Sequence, residues 1–208
     1  MLSTLQRVKI RPRLLVISLV IALVVSVGAG YLIARSGDDE PDAVLDNPQT
    51  VETFPNNGLG NDVVEGDLLP VTTLFDRDDN EVLTTSLLGQ PTVVNFWFST
   101  CPPCAKELPD FAEVHSEVGD DVRFVGVNTI DSVESMERFA GERGVTYEQL
   151  RDPFAELTDA IGAVAFPVTL FVTSDGTIIE QTGVLDADQL RDRVDELQAV
   201  EAQIQEAS

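Results

Sequence analysis

The stretch that most limits how this chain can fold runs from Thr92 to Val118. Thr92-Val93-Val94-Asn95-Phe96-Trp97-Phe98 is apolar, β-branched and aromatic, the composition of a buried central strand. Cys101-Pro102-Pro103-Cys104 follows after Ser99-Thr100 and holds the only two cysteines of the 208 residues. Beyond them Leu108, Phe111, Ala112, Val114 and Val118 recur at helical spacing, which predicts a helix from about Pro102 to Val118. The thiols therefore lie where a strand ends and a helix begins. Unpaired backbone N–H groups and the positive end of the helix dipole favour thiolate over thiol there. The second cysteine, one turn on, is close enough to close a disulfide with the first.

Other uses of two cysteines fit less well. An inert core pair would rarely fall at such a junction with two prolines between. A structural disulfide gains by closing a long loop, and this loop is very short. A structural zinc site needs four ligands, and beside these thiols the chain has one histidine, His115. The placement reads as a redox site.

Asn95-Phe96-Trp97-Phe98-Ser99-Thr100-Cys101-Pro102-Pro103-Cys104, with Lys106-Glu107-Leu108-Pro109 after it, resembles the active-site signature of membrane-anchored thioredoxin-like proteins of the TlpA, ResA and DsbE type. The resemblance covers roughly residues 63–200. It implies a thioredoxin-like α/β fold with a TlpA-type insertion, and thiol–disulfide oxidoreductase activity. It also implies that Ala165-Phe166-Pro167-Val168-Thr169 is the family's cis-proline loop, with the Phe166 backbone turned toward the sulfurs to pair with an extended substrate. Glu107, three residues after Cys104, matches a family glutamate implicated in proton handling. Buried, it would have a raised pKa and could take the proton of Cys104. Plain thioredoxins carry an aspartate where this chain has Asn95, and an amide cannot accept that proton. Thr100 stands where the family often has an aromatic residue, which puts an aromatic substrate platform in doubt. Trp97, the only tryptophan, is explained by core packing, and its fluorescence should report the redox state. His115 reads as a surface or rim residue.

The rest of the chain divides by charge. Residues 1–35 carry five basic residues and no acid, whereas the remainder carries eight basic and 36 acidic residues. A domain this acidic is expected to avoid nucleic acid and anionic head groups. Residues 1–13 form a basic tail, and residues 14–34 contain no charge. As a helix the latter span about 32 Å, enough for a hydrocarbon core of about 30 Å. An uncleaved anchor is the expectation, with a signal cleaved near Val27-Gly28-Ala29 as the alternative. The basic flank places the N-terminus in the cytoplasm and the bulk of the chain outside the cell membrane, where disulfides persist. Residues 35–62 read as a tether, with seven acids and three prolines.

From residue 63 to 208 the pattern is globular, and the 43% hydrophobic content of the whole chain suits one good core. Strands are expected over 69–75, 81–83, 122–128, 168–173 and 177–182. The last two are joined by the turn Ser174-Asp175-Gly176. Helices are expected over 132–141, with Gly144 beyond its end, and over 154–161 after Asp152-Pro153. A final helix starts at Asp186, with Gln189 as its reciprocal cap and Leu190, Val194, Leu197 and Val200 as its buried face. Between Cys104 and Pro167 the chain exceeds a plain thioredoxin by about one helix-plus-strand unit, where the resembling family carries its insertion.

These readings give a single-pass thiol–disulfide oxidoreductase with an extracytoplasmic catalytic domain. Cys101 is the expected nucleophile, Cys104 resolves the mixed disulfide, and no cofactor beyond the two sulfurs is required. Its expected partners are exported thiol or disulfide proteins and a membrane redox partner that recycles the site. It acts more readily as a reductant, as in cytochrome c maturation, than as a disulfide-forming oxidase. Two other functions belong to the same fold. A copper chaperone of the SCO kind uses a CxxxC pair and a distant histidine, and no histidine follows residue 115. A peroxiredoxin-type peroxidase normally acts without a CxxC partner.

Overall fold

The computed structural model describes residues 60–207. The expected basic tail, anchor and nearly all of the tether lie outside the described residues. Among those described, no helix is long and apolar enough to cross a membrane.

Seven strands form one mixed sheet: β1 Thr73–Phe75, β2 Glu81–Leu83, β3 Thr92–Trp97, β4 Arg123–Asn128, β5 Glu148–Arg151, β6 Val168–Val172 and β7 Ile178–Thr182. Their order across the sheet is β2-β1-β5-β4-β3-β6-β7. The pairs β3–β4 and β4–β5 are parallel and the rest antiparallel. The helices are α1 Pro102–Val118, α2 Val133–Gly141, α3 Glu156–Ala160 and α4 Ala187–Ala207. All six residues of β3 are buried, as a strand covered on both faces must be. Its side chains alternate between two cores. Val93 and Trp97 pack with α1, α2 and α4, while Val94 and Phe96 pack with Leu74, Leu157 and Ile161.

Capping fixes the helix starts. Ser132 accepts from the Ser135 N–H to open α2. At α4 the reciprocal box forms: the Asp186 N–H donates to Gln189 Oε1 (3.0 Å), and the Gln189 N–H donates to Asp186 Oδ1 (2.9 Å). The buried face of α4 runs one residue past the expected stripe. Val200 is half-buried, whereas Glu201 is buried and accepts from the Ser174 N–H (2.9 Å) and Oγ (2.5 Å). This ties the helix to the β6–β7 turn.

Two elements differ from the sequence reading. The expected strand 69–75 begins at Thr73, because the residues before it pair elsewhere. The Gly66 N–H donates to Ile178 O (2.8 Å), the Ile178 N–H to Asp67 O (2.9 Å), and the Leu69 N–H to Gly176 O (2.8 Å), so residues 66–69 lie along residues 176–178, at the start of β7. The second difference is β5, whose residues carry no strand signature. Together α2 and β5 form a helix-plus-strand unit between β4 and α3 that adds a strand parallel to β4.

Candidate redox site

The end of β3 hands the chain to α1 at Cys101, which is the N-cap. Its sulfur accepts from the Cys104 N–H at 3.3 Å. Pro102 and Pro103 occupy the first helical positions, where a missing N–H breaks no helical bond. Cys101 and Cys104 are joined in a disulfide (S–S 2.05 Å), with Cys101 4% exposed and Cys104 fully buried.

The segment before the cysteines is held by a residue that the sequence reading missed. Asp131, in the β4–α2 loop, accepts from the Ser99 N–H (2.7 Å) and the Ser99 hydroxyl (2.6 Å). Asn128 clamps Asp131 in turn: its Nδ2 donates to Asp131 Oδ2 (2.8 Å), and its Oδ1 accepts the Asp131 N–H (2.8 Å). No local motif signals this, because Asp131 meets its partner 32 residues away.

Trp97 is fully buried and stacks on Phe139 with centroids 5.7 Å apart. Its indole N–H reaches across β4 to Gln149 Oε1 at 3.0 Å. That crossing requires Gly126, since a Cβ there would lie 2.3 Å from Gln149 Oε1. His115 is half-buried, with its ring against Phe124 and Tyr147. Burial holds its pKa below the ordinary histidine value.

Glu107 lies one turn beyond Cys104 on the same helix and is 1% exposed. Burial pushes its pKa up to about 7. Two hydrogen bonds oppose the rise, from Asn95 Nδ2 to Oε1 (2.9 Å) and from the Leu185 N–H to Oε2 (3.2 Å). Asn95 also donates to Thr169 Oγ1 (3.1 Å), while its own Oδ1 is buried without a partner. The central strand thus offers Glu107 an amide, a contact that the sequence reading did not anticipate. Turning that amide over would present an acceptor to a protonated Glu107.

The second loop at this end of the sheet comes from β6. The Phe166–Pro167 peptide is cis, and Pro167 is buried. The Phe166 ring meets Phe98 edge-to-face at 5.4 Å, joining this loop to the segment before Cys101. This aromatic pair does not depend on an aromatic at Thr100. Ile130 and Val164 (each 66% exposed) and Val184 (50%) stand on loops at the same end of the sheet. The structure therefore gathers a buried disulfide, a buried carboxyl that titrates near neutrality, and an exposed apolar rim.

The AhpC/TSA family pattern matches residues 66–181. Sporulation thiol-disulfide oxidoreductase A of Bacillus subtilis is 30% identical over 134 residues, 62% of this chain and 81% of that protein. Thiol-disulfide oxidoreductase ResA of Bacillus subtilis is 26% identical over 132 residues, 62% of this chain and 74% of that protein. Among solved structures, MTB DsbF in mixed oxidized and reduced forms matches with a TM-score of 0.57 at 30% identity. The match covers 65% of this chain and 99% of that one.

Proposed function

Because the chain belongs to the AhpC/TSA family and is a thiol–disulfide oxidoreductase on the thioredoxin fold, we propose that it reduces disulfides of exported proteins from an anchored, extracytoplasmic position. The observation that carries this is the Cys101–Cys104 disulfide at the α1 N-terminus beneath an apolar rim, which suits an extended polypeptide better than a small polar oxidant. In the reduced protein, the Cys101 thiolate attacks a substrate disulfide. A mixed disulfide forms and one substrate thiolate leaves. Cys104 then gives its proton to Glu107 and attacks Cys101 Sγ. The second substrate sulfur leaves as a thiolate, to be protonated from Glu107 or water, and the Cys101–Cys104 disulfide takes up the oxidation. Glu107 is suited to this because the carboxyl exchanges its proton near pH 7. Phe166 and Pro167 flank the approaching chain, and Trp97 supports the site from the core.

Residues 14–34 serve as the anchor in this reading, and a membrane redox partner returns the pair to its reduced state. The exchange needs no cofactor beyond the two sulfurs. The missing N–H donors at Pro102 and Pro103 favour the reducing direction, with an oxidase on the same site as the competing reading.

The test is a full-length Cys104→Ser variant expressed in cells. It should accumulate mixed disulfides between Cys101 and exported proteins that a reductant releases, while Cys101→Ser traps none. Mixed disulfides found only with cytoplasmic proteins would overturn the placement. Equal trapping by the two variants would overturn the division of roles.

A further inference from the structure

Asn61 and Asp62, the last two residues of the expected tether, are bound to the loop that leads into Pro167. Asn61 Oδ1 accepts from the main-chain N–H groups of Val164 (2.8 Å) and Ala165 (2.7 Å), and Asn61 Nδ2 donates to Ala165 O (3.0 Å). One side-chain amide thus engages both main-chain groups of Ala165, as a neighbouring strand would. The Asp62 N–H donates to Gly162 O at 3.1 Å. The fit there is tight: a Cβ at Gly162 would lie 2.2 Å from Asp62 Oδ2, and Gly162 has φ +60°, in the left-handed region. The Asn61 partners are 103 and 104 residues away, so this contact is tertiary and not a local turn.

The contact continues to the sulfurs. Ala165 is followed by Phe166, whose ring packs on Phe98, and Phe98 O accepts the Cys101 N–H at 3.1 Å. Val164 and Ala165 are exposed, so side-chain burial does little to hold their backbone. Unheld, such a loop would have to be ordered by each arriving substrate, and binding would be weaker for it.

We propose that Asn61 is a positioning residue for thiol–disulfide exchange, holding residues 164–165 so that Phe166 and the apolar rim are already in place for a polypeptide partner. The proposal rests on the reading above that such a partner docks along Phe166. It makes recognition by the redox domain depend on a residue that precedes the family-matched region, which begins at residue 66.

The experiment compares full-length wild type, Asn61→Ala and Asn61→Asp. The probe is a fluorogenic disulfide-linked peptide with dithiothreitol recycling the pair, or its dithiol form with oxidised glutathione as the oxidant if the wild type turns over only in the oxidising direction. Turnover of the dithiol alone would overturn the reductant reading and leave the Asn61 comparison intact. Asn61→Ala is expected to raise KM about five-fold with kcat within two-fold. Its glutathione redox potential and Cys101 alkylation rate with iodoacetamide should match the wild type. Asn61→Asp keeps both acceptor bonds but sets a carboxylate oxygen against Ala165 O in place of the donor, so it is expected to recover only part of the KM. An unchanged KM in Asn61→Ala would overturn the proposal. So would a rise in KM accompanied by an equal change in iodoacetamide rate and a lowered Tm, which would mark a general structural role.

Discussion

At neutral pH the Glu107 carboxyl is divided between its two protonation states, because β3 and α1 bury it without a cation beside it. The folded protein holds that proton up to about pH 7, whereas the unfolded chain has lost it above about pH 4.5. Between these values the folded state binds more protons. Stability therefore falls as pH rises through the window, by on the order of 3 kcal/mol in total, and the loss is complete above it. Glu107→Gln should flatten this dependence. Urea unfolding of the oxidised protein at pH 5 and pH 8 checks it, and parallel profiles for the two proteins would refute it. A second expectation at this scale concerns the thiolate. Cys101 Sγ keeps the Cys104 N–H as a donor, while Pro102 and Pro103 supply none. A thiolate with fewer donors is less stabilised. The Cys101 pKa should then lie nearer the ~7 of thioredoxin than the ~3.5 of DsbA, and the potential nearer about −270 than about −120 mV. A glutathione titration returning a value above about −180 mV would reverse the direction assigned to the protein.

At the scale of elements, α1 contains an internal proline that it can tolerate only with help. Pro109 has no N–H for Ala105 O, the carbonyl one turn before it. Arg143, just past α2, supplies the missing donor: its Nε bonds Ala105 O at 3.3 Å while its guanidinium lies 3.4 Å over the Phe139 ring. Arg143→Ala should cost roughly 1–3 kcal/mol, the range for a partly buried group left unpaired. In a Pro109→Ala background, where residue 109 regains its N–H, the same change should cost clearly less. A double-mutant cycle in urea reads this coupling directly, and additive losses would exclude it. The same scale shows what could be read from the chain. The β3–α1 junction, the hairpin turn and the α4 cap depend on residues within a few positions of each other, so periodicity and capping rules find them. Strand β5 reads Glu-Gln-Leu-Arg with only Leu150 buried, and it becomes a strand because β4 and β1 flank it. Asp131 and Asn61 are ordinary loop residues until the fold brings Ser99 and the 164–165 backbone to them.

For the molecule as a whole, the sheet has two edges, β2 and β7. Strand β2 is three residues long and carries Glu81, which makes it a poor template for a second chain. Strand β7 is longer, and residues 66–69 lie along its first residue and the turn before it through the main-chain bonds at Gly66, Asp67 and Leu69. Leu69→Pro removes one of those donors, whereas Leu69→Ala removes only side-chain packing. Light scattering across a concentration series should show association in the proline variant and little in the alanine control; equal behaviour would mean that the edge is protected by other means. The short segment before β1 is thus expected to guard the start of that edge against association. A proteolytic nick in it would leave the disulfide chemistry in place while giving neighbouring copies an open strand on which to polymerise.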